Sequence, residues 1–142
     1  MASVTQSLVS FLLGKSAITS IVSDRIKPDK IDQNMARPAI CFWTYGTDDV
    51  QTVAGRVGSA KTQVTVECWA ETRTSCQELA KTVKETLMPT DESFPIRGDL
   101  SGVTFYDVSV VSGARDYFVS LGDGTEESIY ISSQDFSFTH AD

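Results

Sequence analysis

The sequence predicts an α+β fold, a small and mostly antiparallel sheet with helices packed on one face. Three stretches carry that expectation. In Gln63-Val64-Thr65-Val66-Glu67-Cys68-Trp69-Ala70, the residues Val64, Val66, Cys68 and Ala70 alternate with Gln63, Thr65 and Glu67. That period of two marks a strand with one buried face. Soon after it, Cys76, Leu79, Ala80, Val83 and Leu87 fall at i, i+3, i+4, i+7 and i+11, one stripe of an α-helix. The link between the two is too short to reach a neighbouring parallel strand, so the helix folds back over its own sheet. The third stretch is Pro38-Ala39-Ile40-Cys41-Phe42-Trp43-Thr44-Tyr45. As a strand it carries Ile40 and Phe42 on one face and Ala39, Cys41, Trp43 and Tyr45 on the other. A strand apolar on both faces needs cover on both. Helices coat one face; the second must meet something else, such as another subunit.

The remaining elements follow in order. Val4, Leu8, Phe11 and Leu12 fit one helical face, and Gly14 stands where a helix commonly stops. Ser16 is placed to cap a second, shorter helix with Ile18, Ile21 and Val22 facing inward. Pro28 fixes its own φ and restricts Lys27, so residues 24–28 leave helical geometry for an extended segment. Residues 29–37 are polar and read as a loop. Residues 46–60, with Asp48, Asp49, Gly55, Arg56 and Gly58 and few large apolar side chains, read as a long glycine-punctuated loop between two strands. In the long helix, Ser75 and Glu78 have the spacing of a capping box, and Pro89 ends the run. Residues 89–102 form a polar connection. Val103 to Val111, rich in β-branched and aromatic residues, reads as a strand. Residues 116–121 are an edge strand or a wrapped loop, 122–125 a turn, and Ser128 to His140 a final strand with Phe136 and Phe138 on one face.

At 142 residues the chain predicts one domain spanning 1–142, enough to bury roughly two thirds of its unfolded surface. No stretch approaches the ~18–20 apolar residues of a membrane span, and the apolar run Leu8 to Leu13 lacks the basic flank and cleavage site of a signal peptide. Cys41, Cys68 and Cys76 form no C-x-x-C pair and read as buried thiols in a reducing compartment. The net charge is −7, and beyond residue 90 only Arg97 and Arg115 offset ten acids. Such a surface repels phosphates and argues against a nucleic-acid-binding module.

The residues that could do chemistry do not assemble into a catalytic set. A nucleophile–histidine arrangement has only His140, two residues from the end in a strand read as an edge. Adjacent acids at Asp48-Asp49, Asp91-Glu92 and Glu126-Glu127 sit in loop-like context, where they read as solvated faces. Gly55-Arg56-Val57-Gly58 is not a phosphate loop, since it lacks G-x-x-x-x-G-K-[ST] and opens no helix. Trp43 and Trp69 could stack on a base or a sugar, but on strands they read first as core or interface. No catalytic residue, cofactor or metal ligand is assigned.

The order of the pieces is distinctive. Phe11-Leu12-Leu13 is followed by Ala17-Ile18-Thr19-Ser20-Ile21-Val22-Ser23-Asp24-Arg25-Ile26-Lys27-Pro28, then by Arg37-Pro38-Ala39-Ile40. Cys68-Trp69-Ala70-Glu71-Thr72, the Leu79-Ala80-x-x-Val83-x-x-x-Leu87 helix and Gln134-Asp135-Phe136-Ser137-Phe138 complete it. This ordered set resembles the tail-completion, or tail-terminator, proteins of long-tailed bacteriophages. Residues 46–60 and 112–128 carry no matching motif.

The resemblance implies a non-enzymatic α+β subunit, assembled in the host cytoplasm into a virion neck ring, typically a hexamer. Such a ring caps the head-proximal end of the tail tube and stops its growth. Its partners are the tail tube protein and the head-completion or connector protein, and DNA passes through the lumen without specific binding. A tube or head-closure subunit, or a monomeric α+β module with Trp43 and Tyr45 lining a small-molecule groove, are the alternatives. Within the ring reading, Asp48, Asp49, Val50, Val53, Arg56 and Val57, with Trp43 and Tyr45, are the expected contacts to a neighbouring subunit or the tube.

Overall fold

Strand β3 (Gly55–Ala70) and helix α3 (Arg73–Leu87) form the unit that the two periodicities predict. The computed structural model describes residues 4–28, 37–52, 55–89, 98–100, 103–120 and 128–141. Cys76, Leu79, Ala80, Val83 and Leu87 of α3 are all buried, and α3 lies over β3 and the C-terminal strand β6 (Ser128–Ala141). The helix starts a turn earlier than Ser75 and Glu78 suggest. Thr72 is the N-cap, in extended geometry with its Oγ accepting from the Ser75 amide at 3.2 Å. Two residues thus turn a strand directly into a helix.

The other elements are α1 (Val4–Leu13), α2 (Ser16–Val22), β1 (Ile26–Pro28), β2 (Ala39–Thr52), β4 (Gly98–Leu100) and β5 (Val103–Ser120). Lys15, not Ser16, is the N-cap of α2, and no side chain caps it. The strands form one sheet in the order β1-β2-β3-β6-β5-β4. β1 pairs parallel with β2, and every other pairing is antiparallel. The core between sheet and helices holds Leu8, Phe11 and Leu12 from α1, Ile18 and Val22 from α2, and Leu79, Val83 and Leu87 from α3. Against them lie Ile40, Phe42, Val64, Val66, Phe105, Phe136 and Phe138. The three cysteines are buried, and none of them forms a disulfide.

The expected loop at 46–60 is instead ladder. β2 continues to Thr52 and β3 starts at Gly55, with pairs running from Gly46↔Gln63 to Thr52↔Gly55. Polar and glycine residues misled the reading because a two-stranded ribbon needs no apolar face to keep its backbone bonded. Gly58, at φ +80, takes the left-handed geometry that a bulge beside Asp49/Gln51 requires. Residues 116–120 are likewise no separate element. They continue β5 across register shifts at 105/107, 110/112 and 112/115. The polar connection after α3 contains β4. The loop at 29–36, the rest of that connection at 90–97, both later acid pairs and the turn at 122–125 lie outside the described residues.

β6 is not an edge. It inserts between β3 and β5, so His140 is buried rather than surface-bound. Its Nδ1–H donates to the Ala141 carbonyl at 2.8 Å, its Nε2 meets the Thr62 hydroxyl at 2.6 Å, and its ring stands edge-on to Phe105.

Candidate functional site

The period of two that buries Val64 and Val66 under α3 sends Thr65, Glu67 and Trp69 to the opposite face, which among the described residues carries no helix. Register aligns that face into three rows across four strands. One row runs Trp43–Thr65–Asp135–Ser112, the next Cys41–Glu67–Ser133–Arg115, the third Ala39–Trp69–Ile131–Tyr117. Ala39 and Cys41 are buried there with Trp43 and Trp69 packed against them, a second apolar cluster apart from the main core. On this face Ala39 and Cys41 find their cover within the subunit, from the two tryptophans, rather than from another subunit.

Between the aromatic side chains lies a shallow groove of about 500 Å³ lined by Trp43, Thr65, Glu67, Arg115, Tyr117, Ser133 and Asp135. Its charges are tied to one another. Arg115 reaches one row across to Asp135 with both terminal nitrogens, Nη1 to Oδ2 at 2.9 Å and Nη2 to Oδ1 at 3.2 Å. The same guanidinium donates to Ser112 and Ser133, and the Thr65 hydroxyl donates to Asp135 at 2.8 Å. These donors, Arg115 first, hold the Asp135 carboxyl below its ordinary pKa. Glu67, buried, accepts from the Trp69 indole N–H at 3.2 Å and from the Tyr117 hydroxyl. Burial and then the bond to Glu67 push the Tyr117 phenol up. Both carboxylates serve as acceptors for donors of their own sheet. The groove is a preorganised surface, with its buried acid compensated before anything docks.

Of the residues expected at the contact, Trp43 alone is brought to this groove. Asp48 and Asp49 pair with Lys61 and Ala60, Arg56 pairs with Gln51, and Val50 and Val57 lie on the same two strands. Tyr45 sits at the bulge between Thr44 and Gly46, and Val53 lies outside the described residues. β3 pairs with β6 only as far as Ser59↔Ala141, so residues 50–52 and 55–58 run on as a two-stranded arm. The reading missed Glu67, Arg115, Tyr117 and Asp135. One signal was available: Arg115 is one of two bases among the last 52 residues, and an isolated guanidinium on a strand calls for a carboxylate partner.

The burial of the thiols also rules on their chemistry. Burial raises Cys68 well above the ordinary thiol value and pushes Cys76 up to about 12, so neither is a ready nucleophile. Among the described residues no cluster of His, Cys, Asp and Glu could hold a metal, and no helix is long and apolar enough to cross a membrane.

The family model described as tail completion protein gp17 matches residues 6–117, from α1 to Tyr117 on β5. The chain belongs to the tail completion protein gp17 family. It is a structural protein of the phage virion, a component of the tail. The match takes in Trp43, Thr65, Glu67, Arg115 and Tyr117 of the groove, while Ser133 and Asp135 on β6 lie beyond it. The fold of this tail completion protein is shared with a chain of the solved structure "Virion of native gene transfer agent (GTA) particle". The TM-score is 0.66 and the identity 9%, over 98% of this chain and 96% of that one. At that identity the likeness is one of fold. No curated protein sequence matches.

Proposed function

We propose that this tail completion protein forms a ring, of hexameric size, at the head-proximal end of the tail tube. There it ends tube growth and meets the head connector. The observation that supports this best is family membership over residues 6–117 in a subunit whose sheet, among the described residues, has helices on one face only. The opposite face carries two aromatic rims, half-buried Trp43 and exposed Tyr117, beside a buried acid that the subunit has already compensated, which suits contact with protein rather than water. The β2–β3 arm is the second contact: a two-stranded ribbon is marginal alone, and it gains order from a neighbouring subunit or from the last tube ring. The lumen passes DNA without holding it, in keeping with a net charge of −7. The role is architectural and needs no catalytic group. The groove does not favour a small-molecule module, because its polar groups are spent on one another.

Electron microscopy of particles made without this protein tests the reading. Tails of uncontrolled length, or full-length tails unattached to heads, are the expected result. Normal tails already joined to heads would overturn it.

A further inference from the structure

The sheet has two edges, and on both a long strand is left mostly open. β1 covers the outer side of β2 only at 40–42, and β4 covers the outer side of β5 only at 103–105. Among the described residues no strand pairs with the outer side of β2 from Trp43 to Thr52, or of β5 from Tyr106 to Ser120. Open edges are ordinarily blunted by lysine, by proline or by being short. β2 and β5 are 14 and 18 residues long and contain neither residue type. On β5, Arg115 and Asp116 are bound to Asp135 and Gln77 of their own subunit. What β5 offers outward is apolar. Of the four large hydrophobic side chains exposed among the described residues, Tyr106, Val111 and Tyr117 are on this one strand. Tyr106 and Val111 are each the extra residue of a bulge, at the register shifts 105/107 and 110/112.

We infer that the outer edge of β5 in one copy pairs with the outer edge of β2 in the next, so that the sheets of successive copies join. The inference rests on the ring reading above. A row of open N–H and C=O groups is complemented by another such row, which is how one strand adds to the edge of a sheet. Three antiparallel steps lead from β2 to β5, so the two edges run in opposite directions. Rotation about an axis lying along the strands keeps those directions, and β5 of one copy then meets β2 of the next antiparallel. Two different edges of one subunit make a heterologous contact, which closes into a ring when the rotation closes. Pairing β5 with β5 would stop at a dimer. The ladder between β3 and β6 runs from Ser59 to Ala70 without a shift, whereas both edge strands are bulged. Bulges bend and twist the strand that carries them, which supplies curvature at the seam. Bulges also guard edges, but a guarded edge has no use for Tyr106 and Val111 at the bulges themselves.

The test uses the full chain, as free subunits and as rings assembled from pure protein or taken from particles. Hydrogen exchange read by mass spectrometry should slow by roughly tenfold or more over 106–120 on ring formation. Tyr106 is then replaced by a photo-crosslinking phenylalanine, in rings built from equal parts of light and isotope-labelled chains. Crosslinks of mixed mass from position 106 to residues 43–52 of another copy are expected. In parallel, Val111→Lys should weaken ring assembly by roughly tenfold or more, with the subunit still folded by circular dichroism, while Val111→Thr should assemble normally. Rings in which 106–120 exchange as fast as in the free subunit, or that form normally with Val111→Lys, would overturn the pairing and leave the ring reading standing. Crosslinks that map to another face or to the tube protein would do the same. Absence of rings from unmodified protein in both preparations would overturn the ring reading, and the pairing with it.

Discussion

Leu79 has no exposed surface and shares the main core with Val64, Val66, Val83 and Leu87. Truncating it removes contacts on both helix and sheet, so Leu79→Ala should cost about 2–5 kcal/mol in chemical denaturation. A loss under about 0.5 kcal/mol would mean the stripe is not packed against β3. Thr72 makes a smaller claim of the same kind. Its hydroxyl accepts the Ser75 amide, and Thr72→Ala should cost about 1 kcal/mol, whereas Ser75→Ala, at the position the sequence favoured for the cap, should cost clearly less. Asp135 yields a claim with a sign. Its carboxyl titrates below the ordinary value because Arg115 and Thr65 bind the ionised form. The stability this adds is present above the unfolded pKa, about 3.9, and is lost as pH falls through the lower folded value. Wild type should therefore exceed Asp135→Asn in stability at pH 7, and the gap should close as the pH drops below about 4. An equal gap at pH 7 and pH 3 would show that the ionised pair is not the source.

The β2–β3 arm shows at the element scale what sequence could and could not convey. Residues 63–70 were legible because burial on one face imposes alternation, and α3 because it imposes a stripe. Residues 46–60 show neither pattern: past Ser59↔Ala141 strands β2 and β3 pair only with each other, and the polar and glycine residues of that stretch resemble a loop. The same reason hid the second half of β5, where three register shifts break the alternation. The groove was half legible. Trp43 stood out because a large aromatic on the wrong face needs an explanation, but Glu67 and Arg115 are 48 positions apart and share one row of the groove only because β6 joins their strands through Ser133. His140 was misplaced on the same ground. The arm also carries a prediction. Joining Asp49 to Ala60, which pair directly, through a two-residue Asn-Gly turn removes residues 50–59. The shortened chain should fold with nearly unchanged thermal stability and fail to form rings or join tails. Normal rings and infectious particles from it would show the arm to be dispensable.

At the scale of the whole molecule, the sheet has a helical layer on one side and a compensated aromatic groove on the other, with an arm running past its end. A subunit built for solvent alone would have little use for the last two features, since the groove leaves the Tyr117 ring exposed and the arm carries strand edges past the end of the sheet. The family identity makes assembly the natural account, and assembly is what remains to be measured. Native mass spectrometry of the purified full chain, with negative-stain imaging of the same sample, puts the central claim to the test most directly. Closed rings of a single size, six subunits, with a central channel are the predicted result. A monomer that stays monomeric at all concentrations and does not bind the ends of tail tubes would contradict it.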